Sequence, residues 1–194
     1  MRIRDCHPAS AAMLTALSFT MVASAELKSI GTSELDMHLP GGTAGVTVDG
    51  KSSELVVSES GGVVTVTAKL DCVEEQRGHL SCIKTGNGVR EKQLWKYLEA
   101  GKFHEARLSI NRSQLKMPHE NEKVDDNATG TFSLHGIQRP LEFHYTAERT
   151  STDIRVHGQF DVNLKDFNIK QPSYAGVQTG MRAEIKVHFT LRDS

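Results

Sequence analysis

Along most of this chain apolar and polar residues alternate one by one, the pattern of strands with one dry and one wet face. In residues 63–70, Val64, Val66, Ala68 and Leu70 share one side, and Thr65, Thr67 and Lys69 the other. In residues 141–148, Leu141, Phe143, Tyr145 and Ala147 oppose Glu142, His144, Thr146 and Glu148. The run 153–165 is longer, with Ile154, Val156, Gly158, Phe160, Val162 and Leu164 on its apolar side. Near the C-terminus Ala183, Ile185, Val187, Phe189 and Leu191 alternate with Arg182, Glu184, Lys186, His188 and Thr190. Weaker strands are predicted over 33–39, 54–58, 106–114 and 129–135. Turn-forming clusters separate them at Pro40-Gly41-Gly42, Asp49-Gly50, Ser60-Gly61-Gly62 and 119–127.

One helix interrupts this pattern. In residues 90–101 (REKQLWKYLEAG), Leu94, Tyr97 and Leu98 recur at i, i+3 and i+4, and Gly101 stands where a helix C-terminus is expected. About eight strands are enough for a closed antiparallel barrel or a sandwich, and closure leaves no sheet edge unpaired. The fold class is therefore all-β, with one short helix.

The first 25 residues break the pattern differently. Arg2 and Arg4 precede an apolar stretch, 11–22, that ends in Ala23-Ser24-Ala25, as in a secretory signal peptide. Two units are expected: a signal segment, 1–25, cleaved after Ala25, and a single domain, 26–194, in an exported and most simply periplasmic protein. Export changes the reading of the cysteines, because Cys6 leaves with the signal and Cys72 and Cys82 remain. In an oxidising compartment an even pair is expected to form a disulfide, contributing roughly 2–3 kcal/mol by chain-entropy arguments. Their spacing is not that of a C-x-x-C redox motif.

Charge narrows the function classes. With 23 Lys+Arg against 24 Asp+Glu the chain lacks the basic footprint of a nucleic-acid binder. No apolar run reaches the ~20 residues of a membrane-spanning helix. No G-x-S-x-G, H-E-x-x-H, P-loop or dinucleotide fingerprint is present, so no catalytic residue is assigned. His144, His157 and His188 fall on the wet faces of three strands, but a metal centre would need further ligands and none is assigned. Asp166 reads as a turn carboxylate. His135-Gly136 reads as a strand-end turn rather than a general base.

The stretch 131–141 (TFSLHGIQRPL) carries Leu134 directly before His135, Gly136, Arg139 and Pro140, the last four at the H, G, [KR] and P of an L-x-H-G-V-T-[KR]-P signature. Residues 163–169 (NLKDFNI) hold Asp166, Phe167 and Ile169, and residues 97–110 (YLEAGKFHEARLSI) and 185–191 follow the same family's order. In these segments the chain resembles the YceI-like family of polyisoprenoid-binding, lipocalin-like proteins. The resemblance implies an eight-stranded antiparallel barrel with a helix near one mouth. It also implies an elongated apolar interior holding a long isoprenoid tail, such as that of a polyprenol or a long-tailed quinone.

On that reading the tail lies against Phe143, Tyr145, Phe160, Val162, Phe167 and Phe189, and Leu94, Trp95, Tyr97 and Leu98 form an apolar lip at the helix. Alternation by itself leaves two interiors open, hollow or filled, since eight strands permit either. Small inward residues, Ala68, Ala147, Gly158 and Ala183, favour the hollow one. A hollow barrel makes a carrier for an isoprenoid lipid or quinone. A filled one makes an envelope stress or interaction protein working through its surface, and self-association into a homodimer stays open for both.

Overall fold

The computed structural model describes residues 26–193 except 43, 44, 46, 72, 75–79 and 175. Residues 1–25, expected to be a signal segment, lie outside the described residues. In chain order the main elements are β1 (Leu27–Leu39), β2 (Val48–Ser52), β3 (Leu55–Ser60), β4 (Val63–Lys69), α1 (Gly88–Tyr97), β5 (Glu105–Asn111), β6 (Lys123–Leu134), β7 (Ile137–Arg149), β8 (Asp153–Asn163) and β9 (Arg182–Asp193). All are antiparallel to their neighbours, in the order β9-β8-β7-β6-β5-β4-β3-β1, and β1 pairs back onto β9. The sheet therefore closes into an eight-stranded barrel.

The short strand β2 does not add a ninth stave. It and β3 lie end to end along the same edge of β1, with Ser52 opposite Leu35 and Ser58 opposite Lys28. Opposite the break between them β1 itself shifts register, between Ile30 and Glu34. There the Ser33 hydroxyl accepts from the Leu55 amide at 2.6 Å and donates to its carbonyl at 3.0 Å, replacing the missing ladder bonds. Asp49-Gly50, expected to be a turn, sits inside β2. Gly50 is required there by close approach: a Cβ would meet Ile83 Cγ2 at 2.6 Å.

Other boundaries move for similar reasons. β1 starts six residues early, at Leu27, because β9 pairs with it along its length. Residues 123–127, expected as part of a turn cluster, pair fully with β7, so the charges of Lys123, Asp125 and Asp126 decorate a strand. The strands expected over 106–114 and 153–165 end earlier, in single turns of tight helix at Arg112–Gln114 and Leu164–Phe167. The helix begins at Gly88 behind an Asn87 cap, whose side chain accepts from the Val89 and Arg90 amides at 3.1 and 3.2 Å. It ends at Tyr97, and Glu99, not Gly101, takes the left-handed conformation beyond it, with φ 47°. His135-Gly136 is the expected turn. Both residues have positive φ, the requirement of a two-residue hairpin that joins β6 to β7.

At one end lie α1 and the 164–167 turn, with Tyr97 bonded to Ser173 and Leu164 to the Met181 carbonyl. At the other end Glu59 points inward, its carboxylate accepting from the Leu27 amide at 3.1 Å and from Arg112 at 2.7 Å. Among the described residues no helix is long and apolar enough to cross a membrane.

Candidate ligand-binding site

The inward faces of the strands do not fill the barrel. They line a cavity of about 130 Å³ that runs from Ile83 and Leu98 at the helix end to Leu115 and Met117 at the far end. Its lining is wholly apolar. Several inward residues, among them Val66, Val156 and Phe160, are only half-buried although they point away from bulk water. They face the void.

Of the residues expected to contact a ligand, Leu98, Phe143, Tyr145, Phe160, Val162 and Phe189 line the cavity. Phe167 stands one layer back, its ring 5.6 Å from that of Phe132 at 86°, while Phe132 meets Phe160 at 5.7 Å. Edge-to-face packing of this kind fixes the position of the cavity-facing rings. Leu94, Trp95 and Tyr97 lie outside the lining. Leu94 is buried against the core and Trp95 is partly buried beside it. The Trp95 Nε1 is buried without a hydrogen-bond partner among the described residues.

Tyr97 is an anchor rather than a lip. Its hydroxyl donates to Ser173 and accepts from the Ser173 amide at 3.0 Å, which ties α1 to the segment after the 164–167 turn. The hydrogen bonds with Ser173 hold its phenol below its ordinary value. Tyr145 does the equivalent work at the far end. Its ring lines the cavity, while its hydroxyl accepts from the Lys116 amide at 2.8 Å and donates to the Lys116 carbonyl at 3.2 Å. That pair of bonds fixes the loop carrying Leu115 and Met117 over the barrel, and burial raises the Tyr145 phenol. The sequence reading missed Leu115, Met117, Ile83 and Met37. The first two alternate about Lys116 and were hidden by the polar residues on both sides.

His135 is built into the helix end. Its Nδ1–H donates to the Phe167 carbonyl at 3.0 Å and its ring packs on Phe103 at 4.5 Å. The Nε2 lies 3.6 Å from Glu99, beyond hydrogen-bond reach, so the histidine joins the hairpin to the segment after α1 and to the 164–167 turn without lining the cavity. Asp166 occupies the first turn of that short helix, as expected of a turn carboxylate. Cys82 is buried. Its expected partner Cys72 falls outside the described residues.

Residues 41–192 match the family model of the YceI-like domain. The chain belongs to the YceI-like family. Solved structures agree on the fold. A polyisoprenoid binding domain from Saccharophagus degradans, implicated in plant cell wall breakdown, superposes with a TM-score of 0.68 at 16% identity, covering 88% of this chain and 99% of that one. BcnA of Burkholderia cenocepacia superposes with a TM-score of 0.56 at 13% identity, covering 81% and 95%. No curated protein matches the sequence. In this YceI-like chain Leu134 and the signature residues His135 to Pro140 build the β6–β7 hairpin, with Leu134 alone of them reaching the cavity.

Proposed function

We propose that this protein is an exported, periplasmic carrier that holds the isoprenoid tail of a lipid or quinone inside its barrel. The observation that carries the reading is the wholly apolar cavity inside the barrel. A cavity without polar groups selects by shape and apolar surface. Each isoprene unit buried there contributes on the order of 3–4 kcal/mol, before ordering costs, at ~0.8 per methylene-sized group. The polyisoprenoid binding domain with the same fold supports the choice of ligand class. Export, in turn, implies removal of residues 1–25 and a Cys72–Cys82 bridge, so the secreted protein is expected to expose no thiol until reduced and denatured. No catalytic step is proposed.

The test is mass spectrometry of organic extracts from purified protein, together with titration by a polyprenol or long-tailed quinone. A stoichiometric isoprenoid in the extract, or saturable binding, is expected. Clean extracts with no binding of either lipid overturn the carrier and leave the surface-interaction reading.

A further inference from the structure

We infer that His157 and His188 form a surface site for a divalent transition-metal ion of the copper(II) or nickel(II) type. The two residues stand directly opposite each other on β8 and β9 and project outward, away from the lipid cavity. Their Nδ1 atoms are 2.5 Å apart, and their rings meet at 4.5 Å and 86°. Two ring nitrogens thus meet directly from two paired strands. Only one of them can carry a proton in that contact, and the other presents a lone pair.

Metal ions take neutral imidazole. The cross-strand pairing holds the two imidazoles side by side on the outer face of the barrel. The surrounding charges are mixed. Glu34 on β1 sits opposite His188, and the Glu148 carboxylate also acts on His157, while Lys123 opposes a cation there. Among the described residues no three of His, Cys, Asp or Glu are already gathered around a metal position. The two imidazoles are therefore what the protein supplies to the site, and water completes the coordination.

Donor type and affinity choose the metal. The two solvent-facing side chains turn out of their direct contact to take it up. Tetragonal geometry with nitrogen and oxygen donors suits copper(II) and nickel(II), and copper(II) forms the stronger complexes. His144 is the natural control. It lies on β7, opposite Gln159 rather than His157, and its Nε2 is 3.5 Å from Asp125.

The test uses chelator-stripped protein, copper(II) sulfate as the probe and a competing chelator, read by equilibrium dialysis and electron paramagnetic resonance. One ion per chain with coupling to two imidazole nitrogens is expected. His157→Gln or His188→Gln should weaken binding on the order of tenfold or more and remove the two-nitrogen pattern. His144→Gln should change neither, and zinc should bind more weakly than copper. Both positions are solvent-facing, and thermal melts of each variant confirm that it is folded. Copper binding unchanged in His157→Gln/His188→Gln, or no binding to the parent protein, overturns the site. Lipid content does not enter these readouts, so the carrier reading can fail without affecting them.

Discussion

At the scale of single residues, several polar groups buried in this barrel are held by partners that shape its ends. Glu59 is the clearest case, with a side chain only 3% exposed and Arg112 25% exposed. A carboxylate held inward by one guanidinium and one backbone amide costs far more when the guanidinium is removed than the pair contributes when intact. Arg112→Met is therefore expected to destabilise by ~2–4 kcal/mol in urea unfolding, somewhat below a fully buried pair because Arg112 reaches solvent. A loss under about 0.5 kcal/mol would mean that water replaces the arginine. The histidine pair yields a second expectation. His157 has its proton affinity lowered from the ordinary 6.5 by burial and then by His188, so the unfolded chain binds that proton more readily. Its contribution is complete above about pH 6.5 and is lost as the pH falls below it. Melts at about pH 7.5 and about pH 5 should show a smaller acid-induced drop for His157→Gln than for the parent. Equal drops would count against it.

At the scale of elements, alternation was a reliable guide wherever a strand has one face on the cavity and one in water. The faces of β4, β7, β8 and β9 were legible because a slip of one residue would invert every side chain. Phe160→Asp places a charge on the apolar wall and should cost several kcal/mol or force the acid neutral. Gln159→Ser, one residue along, gives up only an exposed hydrogen bond to Glu184 at 3.0 Å and should stay within about 0.5 kcal/mol. Equal melting temperatures for the two would mean the register is wrong. The elements that sequence could not delimit are those whose cause is a neighbour. β2 has a Gly inside it because Ile83 leaves no room for a side chain, and the polar first half of β6 is held as a strand by its backbone pairing with β7. Likewise the helix supplied a recognisable apolar stripe, but nothing local told Leu98, which reaches the cavity, from Trp95 and Tyr97, which lie outside its lining. The family signature located the β6–β7 hairpin without indicating that it supports the site from outside.

At the scale of the whole molecule, the deciding quantity is the size of the hole. A cavity of about 130 Å³ is close to the ~150 Å³ engineered cavity that stays dry and binds benzene. As it stands it takes one small apolar group, so a tail of several isoprene units must displace side chains along the axis or run out through an end. The lining suits the first course, since Met37 and Met117 are unbranched and change rotamer easily. Occupancy should then depend steeply on the volume of the inward residues at the middle of the barrel. Gly158 is one of these, and a Cβ there would already meet Val187 Cγ2 at 2.9 Å, so a longer side chain must turn into the void. Gly158→Leu should cut the isoprenoid recovered in extracts, and the affinity for added polyprenol, severalfold, with overpacking costing ~1–3 kcal/mol of stability. Val156→Phe tests the same volume without that clash, because Val156 is half-buried and faces the void. The emission of Trp95, the single tryptophan, packed against the core beside the cavity, follows the titration. Lipid content and affinity unchanged in both folded variants would show that the tail does not occupy this interior, and would move the ligand to the outside of the barrel.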